Sequence, residues 1–105
     1  MDPWTTIVEK LVSQIVEAVH PLRIILFGSA VRGEMQPSSD VDLLVVMPEG
    51  AHRRKTAQKL YREIRGLDRP FDILVATPDD LERHKANIGL IYREILAEGK
   101  EVYAA

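Results

Sequence analysis

There is no cysteine among the 105 residues, which excludes disulfides and any zinc site built on thiolates. Nor is there a surplus of positive charge: 14 Lys and Arg stand against 16 Asp and Glu, for a net charge of −2. That balance argues against a dedicated nucleic-acid binder, whose affinity rests on neutralising phosphates, so nucleic acid is a partner the sequence does not favour. No apolar run approaches membrane-spanning length, and the N-terminus lacks the charged–apolar–small pattern of a signal peptide. The expectation is a soluble, cytoplasmic chain without a membrane partner. The Gly-Lys-Ser/Thr of a P-loop is missing, so chemistry of that type is not expected. Aromatics amount to 6% with one Trp, and Trp4 and Tyr61 read as packing residues rather than base-stacking platforms.

What the sequence does have is a core. Hydrophobic residues make up 46% of the chain, enough for a single modest domain over 1–105 and not for a second one. Ile7, Val8, Leu11, Val12, Ile15, Val16 and Val19 recur at helical spacing. They predict a helix over 3–19, capped by Asp2, opened by Pro3 and ended by Pro21. Strands are expected at 22–27, 41–47 and 71–76; the second is apolar almost throughout, which implies cover on both faces. A helix over 49–65 would bury Ala57, Leu60, Tyr61 and Ile64 and stop at Gly66. Thr77, Pro78 and Asp80 have the spacing of a reciprocal helix cap. Residues 90–98 form a last helix stopped by Gly99, and "KEVY" reads as a short edge strand. This order predicts an α/β (α+β) fold, a small mixed β-sheet packed against helices.

The stretch "LFGSAVRGEMQPSSDVDLLVV", residues 26–46, is where packing and chemistry part company. One apolar strand stops at Gly28-Ser29 and another begins with Asp40 and Asp42. Between them lies an irregular connection with at most one helical turn over 29–32, and long irregular loops tend to be functional. Residues i and i+2 of a strand share a face roughly 6.6–6.8 Å apart, so two carboxylates can converge on one ion cluster. An Asp-x-Asp pair alone is weak, since two solvated carboxylates at a strand end give the same pattern. Asp72 adds a third carboxylate at the start of the strand "FDILVA". Such carboxylates repel by roughly 4 kcal/mol per close pair at an effective dielectric near 20, and a divalent cation removes that cost. Hard oxygen donors without Cys or His select Mg²⁺, or Mn²⁺, over zinc. Two such ions about 3.5–4 Å apart would suit phosphoryl-type transfer. Gly28 allows close backbone approach, and Ser29 opens a helical turn whose free N–H groups favour phosphate. Taken alone, the same pair is an ordinary strand-to-helix turn with a Ser cap.

Together these features are more specific. Gly-Ser follows a strand, ten residues intervene, Asp-x-Asp begins the next strand, and a third Asp opens another. The arrangement resembles the DNA polymerase beta-like nucleotidyltransferase superfamily and, within it, the minimal nucleotidyltransferases or MNT proteins. "GSAVRGEMQPSSDVDLLVV", "FDILVA" and "IGLIYREILAEGKEVY" carry the resemblance over nearly the whole chain. It implies a nucleotidyltransferase-type fold. By that likeness Asp40, Asp42 and Asp72 are catalytic and hold two Mg²⁺ ions, Asp72 also activating the acceptor hydroxyl. Gly28 and Ser29 hold the β- and γ-phosphates of ATP. Arg32 either contacts phosphate or pairs with a carboxylate to fix the loop, the second being favoured. Ser39 shapes the approach to Asp40. The implied reaction moves a nucleoside monophosphate, AMP from ATP, onto a hydroxyl and releases pyrophosphate.

The resemblance also implies a partner. MNT proteins usually accompany an all-helical HEPN protein, often a toxin, and the expected acceptor is a tyrosine of that toxin. Two rivals stand: an antitoxin that neutralises its HEPN partner by occlusion without catalysis, and a small-molecule nucleotidyltransferase whose acceptor surface comes from a partner or a homo-oligomer. Six basic residues from Arg53 to Arg65 read first as a solvated helix face, with docking to an acidic partner or RNA as the other reading. Cations at that helix start oppose its dipole. His20 reads as a helix cap and His84 as a surface residue, since neither has a second ligand at zinc spacing.

Overall fold

The computed structural model describes residues 3–28, 31, 40–67, 69–84 and 95–105, the side chains of 3–5, 83 and 84 excepted. Helix α1 spans Pro3–Val19, strand β1 Arg23–Phe27, β2 Val41–Val46, helix α2 Arg53–Glu63, β3 Phe71–Ala76, helix α3 Pro78–His84 and β4 Lys100–Ala104. Residues 95–98 are also helical. Asp2, Ser29, Arg32, Ser39 and the 90–94 part of the expected last helix lie outside the described residues.

Four strands form one mixed sheet in the order β3-β2-β1-β4. β1 runs antiparallel to both β2 and β4, while β2 and β3 are parallel. The parallel pair needs a crossover, and α2 supplies it. Two apolar layers sandwich the sheet, as the apolar run Leu43–Val46 of β2 requires. On one face Leu11 and Ile15 of α1, Leu60 of α2 and Ile64 just after it pack against Ile24, Leu26, Leu43, Val45, Ile73 and Val75. On the other, Leu81 of α3 and Ile95 cover Ile25, Leu44, Val46 and Ala76. Among the described residues no helix is long and apolar enough to cross a membrane.

Several boundaries have visible causes. His20 takes a left-handed φ of 49° and its N–H reaches the Val16 carbonyl at 3.0 Å, closing α1 in the capping role its position suggests. The reciprocal cap forms as expected: the Asp80 N–H donates to Thr77 Oγ1 at 3.2 Å and the Thr77 N–H donates to Asp80 Oδ2 at 2.9 Å. The Gly99 N–H donates to the Ile95 carbonyl at 2.7 Å, and β4 follows at the sheet edge.

Helix α2 is shorter than the periodicity predicts. Pro48 and Ala51 form a turn, and the His52 side chain becomes the N-cap, its Nδ1 accepting the Lys55 N–H at 3.2 Å. The stop is Ile64 rather than Gly66: Ile64 is extended and 7% exposed, so core burial pulls the chain out of the helix. Gln14 of α1 then fixes the exit. Its Nε2 donates to the Arg65 carbonyl at 2.9 Å and its Oε1 accepts the Arg65 N–H at 2.8 Å. Arg53, at the dipole-opposing start of α2, pairs with Asp80 at 3.2 Å. The charge that looked misplaced along the sequence is therefore matched in space.

Leu43 lies at the centre of the first layer and is fully buried. Replacing it with Ala is expected to lower the unfolding free energy by about 2–5 kcal/mol, read from urea denaturation. Thr77→Ala, which removes one half of the cap, is expected to cost about 1 kcal/mol in the same measurement.

Candidate active site

The end of β1 and the starts of β2 and β3 lie at one end of the sheet. Phe27 is the register partner of Asp42 in the antiparallel pair, and Asp42 is the register partner of Asp72 in the parallel one. Alternation puts Asp42 on the face of Leu44 and Val46, and Asp72 on the face of Leu74 and Ala76. Both carboxylates therefore stand on the sheet face that α3 and Ile95 cover farther along. Their own end of that face is more open, with Asp42 partly buried and Asp72 exposed.

Gly28 follows β1 directly and has φ +77°, a conformation costly for any residue with a side chain. A Cβ built there would collide with Asp42 Oδ2 and lie 3.3 Å from its Cγ. The glycine thus leaves room for the Asp42 carboxylate as well as turning the chain. Val31 is helical and its N–H reaches the Gly28 carbonyl at 3.2 Å.

Of the seven residues the sequence singles out, the structure brings Gly28, Asp42 and Asp72 together. Asp40 is exposed and immediately precedes β2, outside the strand. Ser29, Arg32 and Ser39 are not among the described residues. Among the described residues no three His, Asp or Glu side chains form a group that could hold a metal ion. The pair Asp42–Asp72 nevertheless has the chemistry for a hard cation: oxygen donors only, facing each other across neighbouring strands, with like charges that a cation would neutralise. In that respect the residues present fit Mg²⁺.

Tyr61 is the residue that the sequence reading misplaces. Rather than pointing into the core it is 45% exposed, because α2 ends beside the outer edge of β3 and the ring lies over that edge. It stacks on Phe71, centroids 5.5 Å apart and planes 13° from parallel. Its hydroxyl donates to Asp72 Oδ1 at 3.0 Å and accepts the Ile73 N–H at 2.8 Å. Partial burial pushes the Tyr61 hydroxyl above the ordinary tyrosine value; Asp72 and then Asp42 push the same way, while the Ile73 N–H opposes them. The hydroxyl stays protonated and remains a donor to Asp72. No local spacing announces this contact, since residues 61 and 72 sit on different elements.

Gly28→Ala is expected to destabilise the fold by more than backbone strain alone, which is about 1–2 kcal/mol. In an Asp42→Ala background the collision partner is gone, and the same substitution should cost only the strain. Urea denaturation of the four proteins in this cycle measures the difference.

Residues 7–102 match the family profile described as Nucleotidyltransferase domain. No curated protein matches the chain. Solved structures share its fold: a protein from Sulfolobus solfataricus described as a nucleotidyltransferase aligns with TM-score 0.64 at 20% identity, over 94% of this chain and 78% of that one. A toxin–antitoxin structure with AMP-PNP aligns with TM-score 0.65 at 22% identity, over 92% and 73%. A mutant of the toxin–antitoxin MntA–HpeT aligns with TM-score 0.55 at 20% identity, over 96% and 72%. With the profile spanning nearly its whole length, the chain belongs to the nucleotidyltransferase-domain family.

Proposed function

We propose that this chain is a single minimal domain that transfers a nucleoside monophosphate, AMP from ATP, to a hydroxyl of a HEPN toxin partner, and so acts as an antitoxin. The observation that carries the reading is the facing of Asp42 and Asp72 across β2 and β3, beside the Gly28 turn. A neighbour of similar fold is a toxin–antitoxin with AMP-PNP, an adenine nucleotide analogue. Another is a mutant in which two aspartates two positions apart are replaced by glutamate. That spacing equals the spacing of Asp40 and Asp42 here.

Asp40, Asp42 and Asp72 would hold the Mg²⁺ ions, with Mn²⁺ as a substitute. Bound there, the ions supply charge neutralisation for the triphosphate and for the carboxylates themselves. Gly28 and Ser29 would receive the β- and γ-phosphates, the glycine by close backbone approach and the serine by its hydroxyl and N–H. Arg32 would fix the connecting loop, and Ser39 would shape the approach to Asp40. In the transfer, the acceptor oxygen forms a bond to the α-phosphorus and the bond from that phosphorus to the leaving pyrophosphate breaks. Asp72 takes the acceptor's proton. Positioning and charge placement supply most of the rate.

The test follows label from α-³²P-ATP and from γ-³²P-ATP, with Mg²⁺ and a lysate of the source cells as acceptor pool. Label is expected to move from the α position only. Asp42→Asn and Asp72→Asn are each expected to lower transfer by about 10²-fold or more, with the unfolding midpoint close to that of the parent chain. Label from the γ position would mean a kinase and overturn the mechanism. Absence of label from a protein that still neutralises its partner would establish occlusion instead.

A further inference from the structure

We propose that Tyr61 is the positioning residue for Asp72: its hydroxyl holds the third carboxylate in the orientation in which it receives a cation. This inference rests on the reading of Asp72 as a metal ligand and deepens it. Asp72 is exposed at the start of an edge strand, where an aspartate side chain ordinarily samples several rotamers. Three contacts remove that freedom. The Phe71 stack holds the Tyr61 ring flat against its neighbour. The Ile73 N–H, donating to the hydroxyl oxygen, occupies one of its lone pairs. The single hydroxyl proton is then directed to Asp72 Oδ1. Because a carboxylate offers about four lone-pair sites, one hydrogen bond leaves the others for a cation while fixing their direction.

The same hydroxyl also has a purely structural use, since it satisfies an N–H of the edge strand β3. A residue serving only the edge would affect stability and nothing at the site. The test therefore compares Tyr61→Phe, which keeps the ring and its stack, with the parent chain, Asp72→Asn and the double variant. Mn²⁺ binding in the presence of AMP-PNP is read by electron paramagnetic resonance, and transfer kinetics are measured alongside. Tyr61→Phe is expected to weaken the Asp72-dependent Mn²⁺ site about 3–10-fold and to lower kcat by a similar factor, with KM for ATP unchanged. In the Asp72→Asn background it should have no further effect on Mn²⁺ binding. An unchanged Mn²⁺ affinity in Tyr61→Phe, or a loss that persists in full without the Asp72 carboxylate, overturns the inference. The parent against Asp72→Asn tests the underlying reading separately: if those two bind Mn²⁺ equally, Asp72 is not a ligand, and the inference falls with that reading whatever Tyr61→Phe does.

Discussion

The meeting of two carboxylates at the candidate site depends on one pairing, the parallel register that sets Asp42 against Asp72. Like charges directly opposite each other oppose strand pairing, so the register must be held by its other members. They are sufficient. Leu43 against Ile73 and Val45 against Val75 are buried in the layer under α1 and α2, and Val46 against Ala76 in the layer under α3. A slip of one residue would turn every side chain of a strand over and drive the carboxylates into the layer of Leu11 and Ile15. The two apolar layers therefore place the charges as firmly as they stabilise the sheet.

The sheet divides its duties by end. Where β2 and β3 finish, the chain is tied down: the Glu49 carboxylate accepts the Asp79 N–H at 2.7 Å and Arg53 pairs with Asp80. These contacts join the segment leading into α2 to the start of α3, two helices on opposite faces. Where β2 and β3 begin, the face is open and acidic. Charge is thus kept where water and ligands reach it, and apolar contact where they do not.

Most of the fold was legible in the sequence because it is written in local patterns. α1, β3 and the Thr77–Asp80 cap follow from spacing alone, and three of the proposed site residues, Gly28, Asp42 and Asp72, fall together at strand ends as the motif implies. What was not legible depends on contacts between distant segments. The expected 49–65 helix runs only Arg53–Glu63, because a Pro48–Ala51 turn opens the segment and burial of Ile64 closes it. Tyr61 fits the inward stripe of α2 by periodicity, yet lies beyond it, over the edge of a strand ten residues farther along. Its value to the site arises from Phe71, Asp72 and Ile73, and no pattern within α2 contains that information.

The Gln14 amide bears on how this sequence can vary. It grips residue 65 entirely through the main chain, taking both the N–H and the carbonyl. These two bonds therefore make no demand on the side chain at 65, except that it not be proline, which has no N–H to offer. Position 14 has no such latitude, because only a side chain with one donor and one acceptor at its tip makes both bonds. Two residues joined by the same pair of hydrogen bonds thus contribute unequally, one through its side chain and the other through its main chain alone.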